Sequence, residues 1–166
     1  MYNSVASKHE LLLFCDGSVS PQTKVGYGAY LLLSARDGVP DESLPQVKVK
    51  CFVPTTSTKL ELQTLLWALS TLKSAAHPIT IYTDSQNIVG LPQRRKRLEQ
   101  NDFCSKDGRR LTNADLYREF YRYVDKFECR FVKLSGHLPA RQKTEIDRFF
   151  SLVDKASRQA LRDHRV

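Results

Sequence analysis

The sequence contains no long apolar run: no hydrophobic stretch approaches the ~20 residues that a membrane-spanning helix needs. Its first ten residues, MYNSVASKHE, also lack the apolar core of a secretory signal. We therefore expect a cytoplasmic protein with no membrane partner.

The chain also lacks repeats, linkers and low-complexity segments. A chain of 166 residues can bury one sizeable hydrophobic core. We expect a single domain over 1–166, with residues 1–9 as a flexible tail, and we expect it to be a monomer.

Cysteine is sparse and shows no CxxC pair. The four thiols lie far apart in the sequence, at Cys15, Cys51, Cys104 and Cys129. This spacing argues against a zinc site and against a disulfide framework. We expect buried or inert thiols.

Acidic residues are outnumbered, with 18 Asp and Glu against 26 Lys and Arg. The formal net charge is +8 and the pI is about 9.4. A strongly basic balance favours a polyanionic partner such as nucleic acid.

Three strand-like segments open the chain. ELLLFCDG (10–17) is an apolar run that stops at Asp-Gly, VGYGAYLLLSA (25–35) is aliphatic and aromatic, and VKVKCFVP (47–54) alternates between apolar and polar residues. Short connections between the three segments predict an antiparallel meander.

A helix and a fourth strand follow. Thr56, Ser57 and Thr58 offer N-cap oxygens, and Glu61 follows Thr58 at the spacing of a capping box. HPITIYTD (77–84) reads as a strand, and its place after a helix predicts a parallel crossover. The buried face of the helix is marked by Leu60, Leu62, Leu65, Leu66, Leu69 and Leu72.

The second half adds helices and one more strand. SQNIVGL predicts a short helix that ends near Pro92, and 93–110 is basic and rich in turn residues. An amphipathic helix over 112–127, a fifth strand over 128–136 and a final helix from about Glu145 to Arg162 complete the pattern. The order predicts an α/β fold with a mixed five-stranded sheet, in which strands 1–3 are antiparallel and strands 1, 4 and 5 parallel.

Four acidic residues stand in recognisable settings. Asp16 ends the first apolar run, Glu61 lies on the first helix, Asp84 ends the fourth strand, and Asp154 lies in FSLVDKASRQAL. Carboxylates are ligands that Mg²⁺ prefers, and the ends of parallel neighbours meet at one edge of a sheet. The pattern suggests a metal-dependent enzyme that acts on nucleic acid.

Each of the first three acids also has an ordinary structural interpretation. Asp16 precedes Gly17 and is a typical turn residue. Glu61 fits the reciprocal position of a capping box, and Asp84 could cap the helix that follows it.

The sequence resembles type 1 ribonuclease H, the enzymes that cut the RNA strand of RNA–DNA hybrids. The likeness covers nearly the whole chain and is carried, in order, by DGS with GYGAY, TSTKLEL, YTDSQ, LTNADLYREF and SGH. It implies a ribonuclease H-like fold with helices on both faces of the sheet. It also implies an endonuclease that leaves 5′-phosphate and 3′-hydroxyl ends, using two Mg²⁺ ions (or Mn²⁺) about 4 Å apart.

By that resemblance, Asp16, Glu61 and Asp84 correspond to three metal ligands. The family usually places a fourth acid about ten residues after the SGH histidine, His137, which selects Asp147. The string VDKASRQAL favours Asp154 instead. The two candidates are seven residues apart, so on one helix they share a face within about 20°.

The resemblance further implies several substrate contacts. His137 would assist proton movement or product release, and Gln86 would contact the ribose 2′-hydroxyl. Ser20 and Ser57 lie near positions where the family commonly has asparagine, and a hydroxyl makes fewer hydrogen bonds than an amide, which leaves the selectivity for hybrids open. The basic segment matches a substrate-binding protrusion, with phosphate contacts from Arg94, Arg95, Lys96, Arg97, Lys106, Arg109 and Arg110.

Two other functions stay open at this point. A structure-selective DNA nuclease would keep the same fold and metal ligands. A catalytically silent nucleic-acid-binding module would keep the fold alone, although carboxylates beside phosphate would weaken binding.

Overall fold

The structure is a computed structural model that describes residues 8–42, 46–135 and 144–165. The polypeptide forms six strands and four helices within these ranges. In chain order the elements are β1 His9–Val19, β2 Gly26–Arg36, β3 Val39–Pro40, β4 Lys48–Phe52, α1 Ser57–Ser70, β5 Ile79–Thr83, α2 Gln86–Gln100, α3 Ala114–Lys126, β6 Cys129–Lys133 and α4 Glu145–Arg162.

The strands form one mixed sheet in the order β3-β2-β1-β5-β6, and β4 pairs with β2 beside β3. β2 is antiparallel to β1 and to β4, whereas β5 is parallel to both β1 and β6. These are the five predicted strands in the predicted orientations. The sixth, Val39–Pro40, is a two-residue pairing with the end of β2, inside a segment that reads as a polar loop.

Helices cover both faces of this sheet, because residues along a strand alternate between faces. Leu13 and Cys15 of β1 point into a core built with α1, α2 and α3. Leu12 and Phe14 point the other way and pack with Phe149 of α4. The α/β fold class with helices on both faces is therefore confirmed.

The first strand is longer than its apolar run. β1 continues through Asp16 and Gly17 to Val19, paired with β2 throughout, so Asp16 lies within a strand and the turn interpretation is wrong. Gly17 permits this continuation beside α1, because a Cβ atom at Gly17 would lie only 2.8 Å from Leu60 Cδ2.

The predicted capping box at the start of α1 is also wrong. Thr56 is the N-cap, and its side chain accepts the Lys59 N–H at 3.4 Å. The helix thus begins two residues earlier than a Thr58 cap requires, which leaves the Glu61 carboxylate free for another partner. The predicted leucine face is buried from Leu60 to Leu69.

The third difference lies at Pro92, where a helix end is predicted. α2 instead continues through Pro92 to Gln100, although proline removes one helix hydrogen bond. Ile88, Leu91 and Leu98 are buried along one face of the helix, and the Tyr121 hydroxyl donates to the Leu91 carbonyl at 2.7 Å. Tertiary packing on both sides of the proline outweighs its local cost.

Three further observations concern the chain ends, the helices and the thiols. β1 begins at His9, while residues 1–7 lie outside the described residues, so the flexible tail stays a prediction. No helix within the described ranges has the length and apolar character needed to cross a membrane. All four thiols are free, with Cys15 buried and Cys51 exposed.

Candidate active site

The strand register places Asp16 beside Asp84. β1 and β5 are parallel neighbours whose pairing runs from Leu11 with Ile79 to Phe14 with Tyr82. The same offset, continued by two residues, sets Asp16 opposite Asp84, immediately after the end of β5. Two carboxylates that are far apart in sequence therefore meet at the carboxyl edge of the sheet, where open α/β sheets bind ligands.

Glu61 reaches the same edge from α1. A small pocket there is lined by Cys15, Asp16, Glu61, Thr64, Thr83 and Asp84. The helix can approach so closely because β2 has a glycine beneath it: a Cβ atom at Gly28 would lie 2.0 Å from the Thr64 hydroxyl oxygen. Glu61 Oε2 accepts a hydrogen bond from Ser85 Oγ at 2.6 Å.

Asp154 approaches from the opposite face of the sheet, on α4. Ser157, one turn further along, is fully buried, and its hydroxyl lies 3.2 Å from that of Ser18 on β1. This contact holds the middle of α4 against the strand that carries Asp16. Arg158 Nε lies 2.9 Å from Asp154 Oδ1 and forms an ion pair along the helix.

Asp147 has a different role. The Thr144 backbone N–H and hydroxyl both donate to Asp147 Oδ2, at 2.9 and 2.8 Å, and the Asp147 N–H donates back to the Thr144 hydroxyl at 3.4 Å. This reciprocal pair is a capping box at the start of α4. Of the two candidates for a fourth acid, the structure brings Asp154 to Asp16 and places Asp147 in a helix cap.

The electrostatics confirm that these carboxyl groups are close together. The pKa of Asp16 is raised from 3.8 to about 8, first by burial and then by the charge of Asp84 and by the Asp154 carboxyl, while the Gly17 N–H opposes the rise. The pKa of Glu61 is raised by burial and by Asp84, while the Ser85 hydrogen bond lowers it. Like charges at short range disfavour ionisation, so the site resists carrying its full negative charge.

Asp84 is exposed as a residue, yet the surrounding groups still shield its carboxyl from water. This desolvation raises the pKa of Asp84, and the nearby Asp154 adds to the effect. Lys133 and Arg158 oppose it, because their positive charges favour the carboxylate. Two basic side chains thus border the acidic cluster.

The donor chemistry of the cluster fits a hard divalent cation. Carboxylate oxygens are the ligands that Mg²⁺ prefers, and a cation would offset the repulsion that raises the pKa of Asp16. Among the described residues, no group of three His, Cys, Asp or Glu side chains is close enough together to hold a metal ion without side-chain movement. Two of the four acids already have other partners, Ser85 for Glu61 and Arg158 for Asp154.

The residues predicted to contact the substrate have different settings. Gln86 is exposed at the start of α2, and its Oε1 accepts a hydrogen bond from Lys133 Nζ at 2.9 Å. Ser20 follows β1 and accepts the Thr23 N–H at 3.4 Å in the hairpin turn. Ser57 is the exposed first residue of α1. His137 lies outside the described residues.

The basic segment 93–110 lies on α2 as far as Gln100 and continues through turns to Arg110, and its basic side chains divide into two sets. Arg94 bonds to Asn87 Oδ1 at 2.6 Å, Arg95 pairs with Asp125 at 2.6 Å and with Glu99 at 2.8 Å, and Arg110 pairs with Asp115. These three arginines are occupied within the protein. The exposed members without an ion pair to any described residue are Lys96, Arg97, Lys106 and Arg109.

Four site residues escaped the sequence analysis: Ser85, Lys133, Ser157 and Arg158. Ser85 carried a usable signal, since it stands directly after Asp84 and is a favourable N-cap for the helix that SQNIVGL predicts. Ser157 and Arg158 carried none, because their contacts depend on how α4 lies on the sheet.

Acidic side chains gathered at the carboxyl edge of such a mixed sheet define the class of ribonuclease H-like nucleases. The family model described as RNase H matches residues 8–156. The chain therefore belongs to the RNase H family, and the resemblance to type 1 ribonuclease H and the assignment to the ribonuclease H hydrolases are confirmed.

Individual relatives agree with this assignment. The chain is 24% identical over 159 residues to a ribonuclease H of Caldicellulosiruptor saccharolyticus, which covers 94% of this chain and 99% of that protein. It is similar in fold to LC9-RNase H1, a type 1 RNase H with the type 2 active-site motif, with TM-score 0.69, 17% identity and coverage of 92% of this chain and 72% of that one. A foamy viral protease-reverse transcriptase in complex with an RNA/DNA hybrid gives TM-score 0.66, 11% identity and coverage of 92% and 20%.

Proposed function

We propose that this protein is a metal-dependent endoribonuclease that hydrolyses the RNA strand of RNA–DNA hybrids to 5′-phosphate and 3′-hydroxyl products. The observation that carries the proposal is the mutual influence of Asp16, Asp84 and Asp154, three carboxyl groups from three elements at one sheet edge. Such a concentration of negative charge does not help folding, and it stands out in a protein whose overall charge is basic. It suits a site that binds cations and phosphate together.

Asp16, Glu61, Asp84 and Asp154 would hold two divalent cations, Mg²⁺ or Mn²⁺. When bound, such a pair activates the attacking water and offsets charge on the leaving oxygen. The chain contributes the orientation of the carboxylates: Gly17 N–H holds Asp16 Oδ1 at 2.8 Å.

The neighbouring residues would orient the substrate. Gln86, two residues after Asp84, would exchange its Lys133 partner for a ribose 2′-hydroxyl, which distinguishes RNA from DNA. Ser20 and Ser57 would make weaker contacts of the same kind, and we propose that His137 moves protons or assists product release. Phosphates would be contacted by the unpaired basic residues Lys96, Arg97, Lys106 and Arg109. The foamy viral protease-reverse transcriptase, a protein of similar fold, has structures in complex with an RNA/DNA hybrid and with dsDNA, so the test below compares both substrates.

The test is a comparison of matched labelled substrates. An RNA–DNA hybrid, the same sequence as duplex DNA, and the RNA strand alone are incubated with EDTA, Mg²⁺ or Mn²⁺, and the product ends are mapped. We expect metal-dependent cleavage of the RNA strand of the hybrid alone, and Asp84→Asn should bind the hybrid without cutting it. Equal cutting of duplex DNA would identify a DNA nuclease instead, and hybrid binding by the wild type without turnover would identify a binding module.

A further inference from the structure

The Ser85 hydroxyl links two of the candidate metal ligands. Ser85 directly follows Asp84 in the chain and is 4% exposed. Its Oγ donates to Glu61 Oε2 across 2.6 Å, although Glu61 belongs to α1. The bond therefore ties the helix-borne acid to the end of β5, the strand that places Asp84 beside Asp16.

Ser85 is itself held from two other directions. Its backbone N–H donates to Thr83 Oγ1 at 3.1 Å, and its Oγ accepts the Ile88 N–H at 3.2 Å as the N-cap of α2. A hydroxyl has one proton and two lone pairs. Because the Ile88 N–H occupies an acceptor site, the proton remains for Glu61, and its direction is set by the helix start.

Glu61 depends on such a partner more than the aspartates do. Its side chain has one more rotatable bond than that of an aspartate, and holding it in one conformation costs entropy. Among the described residues, Ser85 is the one side chain that bonds to the Glu61 carboxylate. Without that bond, the carboxylate could rotate away from the pocket that it lines together with Asp16 and Asp84.

We propose that Ser85 is a positioning residue, which holds the Glu61 carboxylate in the orientation that a divalent cation requires. This inference rests on the proposed function, because it assumes that the four acids bind metal. Residues that hold metal ligands in place typically contribute 10–100-fold to metal affinity. Ser85 would thus act on the metal through Glu61, without joining the ligand set.

The test measures metal binding apart from turnover. Mg²⁺ binding to the folded, purified protein is titrated by calorimetry, for wild type, Ser85→Ala and Ser85→Thr. We expect the Mg²⁺ concentration for half-maximal binding, the Mg²⁺ midpoint, to rise about tenfold in Ser85→Ala. Ser85→Thr keeps the hydroxyl and should respond like the wild type. On a hybrid substrate, the Ser85→Ala rate should recover toward the wild-type rate at high Mg²⁺.

A control separates positioning from simple capping. Thr144→Ala removes an N-cap from α4 and should lower the melting temperature in the absence of metal, with an unchanged Mg²⁺ midpoint. If Ser85→Ala folds poorly, Ser85→Gly replaces it, because glycine is tolerated at N-caps, and the same tenfold shift is expected.

Two outcomes overturn the inference alone: a wild-type Mg²⁺ midpoint in Ser85→Ala, or an equal shift in Thr144→Ala. A wild-type protein that neither binds Mg²⁺ nor cuts the hybrid overturns the proposed function together with the inference. The wild-type titration therefore distinguishes the two failures.

Discussion

Replacing Asp16 with asparagine should stabilise the metal-free protein while it removes a carboxylate from the candidate site. Asp16 is partly buried on β1, and its pKa is raised from 3.8 to about 8, first by burial and then by the charge of Asp84. Asparagine has nearly the same shape, and its side-chain oxygen can still accept the Gly17 N–H, which is 2.8 Å away. The substitution therefore removes charge without opening a cavity.

The magnitude follows from the difference in proton affinity between the folded and unfolded states. Because the folded-state pKa of Asp16 is raised, the folded protein is stable with this carboxyl protonated and loses stability when it ionises. The stability is therefore full below about pH 4 and is lost as the pH rises through about 8. The difference between 3.8 and about 8 corresponds to ~6 kcal/mol at most. Local relaxation and water penetration reduce such costs, so we expect Asp16→Asn to gain about 2 kcal/mol at pH 9 and under ~1 kcal/mol at pH 5.

The assay is urea unfolding in EDTA at pH 5, 7 and 9. Asp107→Asn serves as the control, because Asp107 is exposed in the turn before Gly108, and its stability difference from the wild type should be the same at each pH. Added Mg²⁺ should stabilise the wild type, since a ligand of the folded state shifts unfolding, and should stabilise Asp16→Asn far less. A gain for Asp16→Asn that does not grow with pH would refute the reasoning.

Three further predictions concern the fourth acid, the core and the basic surface. Asp154→Asn should lower the hybrid cleavage rate at least ~100-fold. Asp147→Asn should leave the rate unchanged and cost about 0.5 kcal/mol of unfolding free energy, because it removes a negative charge from the first turn of α4 while its amide oxygen can still accept the Thr144 N–H. Steady-state rates and urea titrations of both variants decide, and the reverse pattern would exchange the two roles. Leu62→Ala, at a position with 0% exposure, should cost about 3 kcal/mol in urea unfolding, and a loss under ~1 kcal/mol would contradict the described packing of α1. The double variant Lys96→Ala with Arg97→Ala should weaken hybrid binding and reduce the slope of log binding constant against log salt concentration by the equivalent of about two phosphate contacts. Fluorescence anisotropy at several salt concentrations measures this slope. An unchanged slope would exclude both residues from the phosphate contacts.

Much of the fold was readable from local patterns. The final helix occupies Glu145–Arg162 as predicted, and the parallel placement of β5 beside β1 follows from a strand that succeeds a helix. Asp16 and Asp84 could be paired in advance, because the ends of parallel neighbours must meet. Apolar periodicity and strand order are properties of short segments, so a single sequence carries them.

The choice between Asp147 and Asp154 could not be read in the same way. Both lie on one helix and nearly on one face, so helical periodicity treats them alike. What separates them is the seating of α4, where buried Ser157 meets Ser18 and Thr144 closes a cap on Asp147. Those contacts join residues that are far apart in the chain or depend on where the helix begins.

The same limit of local sequence applies at three other residues, Pro92, Arg95 and Glu61. Pro92 predicts a helix end, a run of arginines predicts a free basic surface, and Glu61 fits a cap. Packing of α2 against Tyr121, the ion pair between Arg95 and Asp125, and the Ser85 hydrogen bond to Glu61 override those local preferences. Residue type and spacing are thus enough to predict the helices and strands and the acids at strand ends. The role of each charged group depends on partners from distant segments, because local sequence does not encode which groups meet in space.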